Sequence, residues 1–119
     1  MDIVSLTKMP VETIEGSPNF TGTVKRQKVF EEPGHALVSN IGFTKGVRNK
    51  FHAHSGEQIL IVTEGKGWVA TETKKVEVGP GDIIRFAPGE KHWHGALPDS
   101  EFTHVFVAPA DTKTEMLED

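Results

Sequence analysis

Hydrophobic and polar residues alternate along much of this chain in short runs, and glycine or proline separates one run from the next. The runs are rich in β-branched and aromatic residues and cover residues 24–30, 36–44, 58–64, 67–73, 82–86 and 102–108. Proline–glycine pairs or closely spaced glycines stand between several of them, at residues 33–34, 65–67, 79–81 and 88–89. Short alternating runs separated by such turn sequences predict an all-β sandwich or barrel.

The length of 119 residues suits one domain, and no repeat, linker or low-complexity segment divides the chain. We therefore predict a single domain over residues 1–119, with a core barrel at about residues 22–110 and a short N-terminal arm before it. The strand at residues 24–30 is expected to pack on the barrel or to exchange with a partner. The acidic tail is expected to be solvated, and any helix is expected only there, after residue 109.

Composition excludes several classes of function. The formal net charge is −4 and the basic residues form no stripe, so neither nucleic acid nor a membrane surface is an expected partner. Because cysteine is absent, disulfides, thiolate catalysis and cysteine-based zinc sites are excluded. No run is long enough to cross a membrane and the N-terminus lacks the pattern of a signal peptide, which predicts a cytoplasmic location.

Histidine carries the most specific chemical signal. Five of the six histidines lie in strand-like segments, as two His-x-His pairs and one single residue: His52, His54, His92, His94 and His104. Residues two apart on a strand point to the same face, so each pair projects together. Neutral imidazole is the commonest ligand for first-row transition metals, and the strands of a closed barrel can bring such pairs onto one ion. The pattern therefore predicts a metal site inside a barrel.

The spacing of the first pair resembles the first motif of the cupin family, G-x5-HxH-x3-E-x6-G. Gly46, the pair at residues 52–54, Gln58 and Gly65 stand at the positions of that motif, with Gln58 where the family usually has glutamate. The resemblance implies an antiparallel cupin barrel, which is a double-stranded β-helix of the jelly-roll kind.

The second pair resembles the second cupin motif. Gly81, a proline–glycine turn at residues 88–89 and His92 match it, whereas Ala87 and Ala96 replace the usual proline and asparagine. In the family this motif supplies the last metal ligand. The two motifs cover residues 46–96, and together they are much more specific than either alone.

A narrower resemblance involves residues 19–24, 58–65 and 88–96. These stretches are similar to small cupins associated with carboxymuconolactone decarboxylase, a group that includes bacterial cupin-type hydroxynitrile lyases. The resemblance implies one divalent ion (manganese, iron, zinc or nickel) bound by His52, His54, Gln58 and His92. It implies further that His94 and His104 line the pocket, and that the chain forms a homodimer.

Gln58 changes the charge of the predicted site. A glutamine offers a neutral carbonyl oxygen where a glutamate would offset one charge of the metal. With three neutral imidazoles, it would leave the full charge of the ion available to an anionic oxygen such as an alkoxide or enolate. The alternative is that Gln58 hydrogen-bonds a ligand histidine without touching the ion.

Residues near the ligands are candidates for catalysis and substrate binding. His94 and His104 are candidate general acids or bases, because the pKa of imidazole lies near neutrality. We expect Leu60, Phe102, Phe106 and Asn49 to form the substrate pocket. The alternatives are that His94 is a solvated rim residue and that His104 is a hydrogen-bonded core residue.

Three functions remain open at this point. The first is a metal-dependent lyase or isomerase acting on a small oxygenated molecule, with hydroxynitrile cleavage as its most specific form. The second is an iron-dependent dioxygenase, since a set of histidines with open positions can bind dioxygen. The third is a non-catalytic binding or sensing domain, since a fold by itself does not select a function.

Overall fold

A computed structural model describes all of residues 1–119, with eleven strands and no helix. The strands, numbered β1 to β11, are Glu12–Ile14, Val24–Phe30, Ala36–Phe43, His52–His54, Gln58–Gly65, Gly67–Thr71, Lys75–Val78, Ile83–Phe86, His92–Ala96, Phe102–Pro109 and Thr114–Met116. The six predicted runs are all strands. The strands β1, β7 and β11 were not predicted, because they are only three or four residues long and mostly exposed.

The strands form two antiparallel sheets. The first has the order β1-β2-β3-β10-β5-β8 and the second has the order β11-β4-β9-β6-β7. The apolar core takes its side chains from both sheets, for example Val24 and Leu60 from the first and Val69 and Ala96 from the second. The core therefore lies between the sheets, and the prediction of an all-β antiparallel barrel is confirmed.

Alternation decides which side chains face the interior. In β5, residues Gln58, Leu60 and Val62 are buried while their neighbours are more exposed. In β10, Phe102 and His104 are buried in the same way. The register between β10 and β5 shifts between Thr103 and His104, because β5 has one extra residue there, Thr63. The alternation of buried residues in β5 ends at this bulge, after Val62.

The turn between β5 and β6 requires a glycine. Gly65 has a φ of 73°, in the left-handed region that a side chain disfavours. A Cβ at this position would also overlap the backbone carbonyl of Glu101. The glycine therefore allows both the turn and the close approach of the segment that leads into β10.

The C-terminal tail differs from the prediction. The tail after residue 109 is not helical, since Thr114–Met116 is a strand paired with β4. Backbone pairing to an edge strand outweighs the weak helical tendency of so short a segment.

The N-terminal arm is held by Gln27, whose Nε2 donates to the carbonyls of Leu6 and Met9 at 2.8 and 3.0 Å. No helix able to span a membrane is present.

Candidate metal centre

Three imidazoles converge inside the barrel. His52 and His54 lie on β4 and His92 lies on β9, where it is directly opposite His52 in the ladder between the two strands. Their candidate ligand atoms all lie within 4.8 Å of one another. The ring of His92 also stacks on the ring of Phe86, with the centroids 3.8 Å apart. Pairing and stacking thus hold the three rings around one point.

Each of the three rings uses its Nδ1 for a hydrogen bond within the protein. The partners are the Lys50 carbonyl at 2.5 Å from His52, the Glu90 carbonyl at 2.8 Å from His92 and the Thr114 hydroxyl at 2.9 Å from His54. A carbonyl can only accept, so Nδ1 of His52 and of His92 carries the proton. In a neutral ring the lone pair is then on Nε2, as metal ligation through that atom requires.

Two observations show that this site fits a cation. Nε2 of His54 is buried and has no hydrogen-bond partner. Nε2 of His92 lies 3.1 Å from Oε1 of Gln58. Because Nδ1 of His92 already carries the proton, these two atoms present only lone pairs to each other in the neutral state. A bound cation would satisfy all of them, so the donor set suits a divalent transition metal with Gln58 as the fourth ligand.

Burial keeps these imidazoles neutral. It lowers the pKa of His52 below the ordinary value and lowers the pKa of both His54 and His92 to about 4. The positive charge that neighbouring rings would carry lowers the pKa of His54 and His92 further. A histidine must be neutral to bind a metal through its ring. Burial therefore leaves these three rings in the protonation state that can bind a cation near neutral pH.

His94 is held by hydrogen bonds to Asn49, which lies in a distant part of the sequence. The backbone N–H of His94 donates to Oδ1 of Asn49 at 2.8 Å, and Nδ2 of Asn49 lies 3.1 Å from Nε2 of His94. Because Oδ1 faces the backbone N–H, the amide group of Asn49 must donate toward the ring. The ring nitrogen that receives this bond carries no proton, so the other nitrogen is the one with a proton to donate.

His104 lies beside His94 and has no polar partner. The two rings are perpendicular, with centroids 4.8 Å apart, and the ring of Phe43 lies 5.5 Å from each of them. Both ring nitrogens of His104 are buried without a hydrogen bond. Burial lowers the pKa of His104 to about 3 and that of His94 well below its ordinary value. Two neutral imidazoles thus adjoin the three-histidine group.

A cavity of about 300 Å³ connects these side chains to solvent. It is lined by His52, His54, Gln58, His94, His104, Asn49 and Phe106, among others. The only carboxylate in its lining is that of Glu31, which is exposed. Leu60 and Phe102 do not line the cavity, which corrects the predicted pocket: both have no exposed surface and belong to the apolar core. Alternation assigns a residue to the inner face but not to a depth along the barrel.

Several residues of the site were not predicted. The inner face of β3 supplies Ser39, Ile41 and Phe43 to the cavity lining, as the alternation in residues 36–44 would have allowed us to infer. Thr114, which contacts His54, and Met116, which lines the cavity, come from the tail. Nothing in the local sequence of the tail indicates that it pairs with β4.

The low pKa of His104 predicts a loss of stability in acid. The pKa of an unfolded histidine is near 6.5, so the unfolded chain binds one more proton here between that pH and about 3, and acid favours unfolding. For metal-free protein, we expect the free energy of unfolding to fall with pH more steeply in the wild type than in His104→Phe. The expected difference in slope is about 1 kcal/mol per pH unit between pH 6 and 4. Urea denaturation at a series of pH values measures it, and identical slopes would contradict a buried neutral His104.

Sequence comparison finds a matching family and a related protein. The sequence model of the cupin domain matches residues 41–109. The chain is also 46% identical over 91 residues to an (R)-mandelonitrile lyase of Granulicella tundricola, an alignment that covers 74% of this chain and 70% of the relative. The family match includes the three histidines that converge on one point.

Structural comparison agrees with the sequence. A cupin-like protein of Thermotoga maritima has 36% identity and a TM-score of 0.81, over 88% of this chain and 84% of that protein. The polyketide cyclase RemF of Streptomyces resistomycificus has 23% identity and a TM-score of 0.85, over 98% and 85%, and thus shares the fold. Given the barrel, the motif spacing and the matched domain, the chain belongs to the cupin family.

Proposed function

We propose that this protein is a metal-dependent lyase that cleaves a small hydroxynitrile to an aldehyde or ketone and cyanide. The observation that carries the proposal is the pair of neutral imidazoles, His94 and His104, facing the same cavity as the three-histidine group. The 46% identity to an (R)-mandelonitrile lyase supports it independently and suggests an aromatic cyanohydrin as a first substrate to test.

The binding cavity suits a substrate of this size and chemistry. Its volume of about 300 Å³ is at the small end of ligand sites. Apolar side chains such as Phe43, Ile41 and Phe106 form part of the wall against which an aromatic ring can pack. A divalent ion bound by the three histidines would supply a Lewis acid that makes the substrate hydroxyl more acidic.

The two free imidazoles differ in what they can do. His104 has no hydrogen-bond partner on either nitrogen, so the nitrogen with the lone pair is free to accept the hydroxyl proton of the substrate. As the O–H bond breaks, the carbonyl forms, the carbon–carbon bond breaks and its electron pair leaves with cyanide. Cyanide then takes up the proton and departs as hydrogen cyanide.

His94 has the complementary role. Because one of its nitrogens accepts from Asn49, the other presents an N–H, which can donate to the negative charge that develops on the departing group. No carboxylate in the inner part of the cavity opposes this charge, since Glu31 is exposed at the surface. Asn49 is therefore a positioning residue for His94.

The test is mandelonitrile cleavage by protein that has been stripped of metal and reloaded with Mn²⁺. Release of benzaldehyde is followed by its absorbance in mildly acidic buffer, where spontaneous cleavage is slow, for each enantiomer separately. We expect a metal-dependent rate above the spontaneous one. Oxygen consumption by Fe²⁺-loaded protein would instead favour a dioxygenase, and no turnover with either metal would favour a binding or sensing domain. Homodimerisation, the cytoplasmic location and the identity of the metal stay predictions.

A further inference from the structure

We propose that Thr114 is a positioning residue for His54, and that the C-terminal strand β11 is an integral part of the metal centre. This inference rests on the metal-dependent function proposed above. It assigns a role to a segment whose sequence predicts only a solvated tail.

The strand that carries two of the ligand histidines has little support from the rest of the barrel. Strand β4 has three residues and pairs with β9 at a single position, His52 opposite His92. On its other side, β11 pairs with all three residues of β4, and Thr114 is opposite His54. Most of the pairing that holds β4 therefore comes from the tail.

His54 differs from the other two ligand histidines in the group that orients its ring. Nδ1 of His52 and of His92 donates to a backbone carbonyl two residues earlier in the chain. Nδ1 of His54 has a side-chain partner instead, the hydroxyl of Thr114 at 2.9 Å. A hydroxyl can accept or donate, and only acceptance from Nδ1–H leaves the lone pair on the buried, unpartnered Nε2. By accepting from Nδ1–H, the hydroxyl of Thr114 would hold His54 in the tautomer that can bind a metal.

The tail is also fastened beyond Thr114. Glu118 forms a two-point ion pair with the guanidinium of Arg48, at 2.7 and 3.1 Å, and accepts from the backbone N–H of Phe51 at 3.0 Å. The backbone N–H of Leu117 donates to the Phe51 carbonyl at 2.9 Å. The guanidinium of Arg48 in turn lies over the ring of Trp93, 5.0 Å from its centroid. We call the pair Arg48–Glu118 the tail clasp.

A second set of contacts fastens the start of the tail. Ser55 and Lys113 form two hydrogen bonds of 2.8 Å, one from each backbone N–H. The hydroxyl of Thr112 accepts from the backbone N–H of Gly56 at 3.1 Å. Thr112, Thr114 and Met116 also line the cavity. The tail is thus fixed at both ends and forms one wall of the site.

The decisive variants are Thr114→Val, which keeps the shape of the side chain but removes the hydrogen-bond acceptor, and Thr114→Ser, which keeps the acceptor. We expect Thr114→Val to weaken Mn²⁺ binding about 10- to 100-fold, as loss of a hydrogen bond to a ligand histidine typically does. Thr114→Ser should bind nearly as tightly as the wild type. Competition with a fluorescent chelator measures these dissociation constants. Thr73→Val, in an exposed turn, is the matched control and should have no effect.

A readout without metal tests the tautomer directly. In the metal-free wild type, ¹⁵N chemical shifts of the His54 ring should show a protonated Nδ1 and an unprotonated Nε2. In Thr114→Val the ring should become a mixture of tautomers, whereas His52 and His92 keep theirs. Wild-type affinity together with a wild-type His54 spectrum in Thr114→Val would overturn the assignment. Absence of Mn²⁺ binding by the wild type would instead refute the proposed function, whereas the metal-free ¹⁵N spectra test the role of Thr114 by themselves.

The tail clasp is tested separately. Glu118→Gln keeps the size of the side chain but removes the charge that pairs with Arg48, and we expect faster loss of Mn²⁺ to a chelator in excess. Glu115→Gln is the matched control, because Glu115 is exposed in the same tail and forms no ion pair. Equal dissociation rates for the two variants would exclude a contribution of the clasp to the metal centre.

Discussion

Metal binding is expected to disappear when His52 and His54 are both replaced by alanine. The wild type should bind about one divalent transition-metal ion per chain, because one group of donors converges on one point. The double replacement removes two of the three imidazoles and leaves His92 with Gln58, too few donors for a tight site. Elemental analysis of protein purified without an affinity tag measures the stoichiometry.

The matched control is His35→Ala, because His35 is exposed and lies outside the cavity. It should retain the full metal content. Full retention by the double variant would refute the metal centre.

Gln58→Leu and Gln58→Glu refine the same experiment. If the carbonyl of Gln58 is a ligand, the leucine variant should lose affinity and the glutamate variant should keep or gain it, since it adds a negative charge beside the ion. Equal affinity of the leucine variant and the wild type would assign Gln58 to a supporting contact with His92, whose Nε2 it faces at 3.1 Å.

The second large effect concerns His104. We expect His104→Phe to lower the rate of mandelonitrile cleavage by about 10²- to 10⁴-fold, which is the usual contribution of a general base. Phenylalanine keeps an aromatic ring among Phe43 and Phe102 but has no atom that accepts a proton. Initial rates of benzaldehyde release by Mn²⁺-loaded protein measure the effect.

Metal content serves as the internal control for this variant. His104 is not among the three grouped histidines, so His104→Phe should bind Mn²⁺ as the wild type does. A loss of rate with full metal content would support a role in proton transfer. An unchanged rate would contradict that role and direct attention to His94, whose ring lies 4.8 Å away.

The alternation and the spacing of residues in the sequence determined the class of fold and the side chains that share a face. Period-two alternation predicts strands, and the same period places His52 with His54 and His92 with His94. These relations are local, because they depend on backbone geometry within one strand. That is why the six predicted runs, the inward direction of the histidine pairs and the cupin resemblance could all be obtained without a structure.

Only the tertiary structure decided how far along the barrel each inward residue lies and what touches it. Leu60 and Phe102 have the same parity as cavity residues, yet strand pairing buries them in the core. Asn49 reaches His94 across 45 residues of sequence, and Thr114 reaches His54 across 60. The register of strands distant in sequence sets these contacts, and local alternation carries no information about that register. For the same reason the acidic tail, which looks solvated by composition, contains a strand that pairs with the strand of His52 and His54.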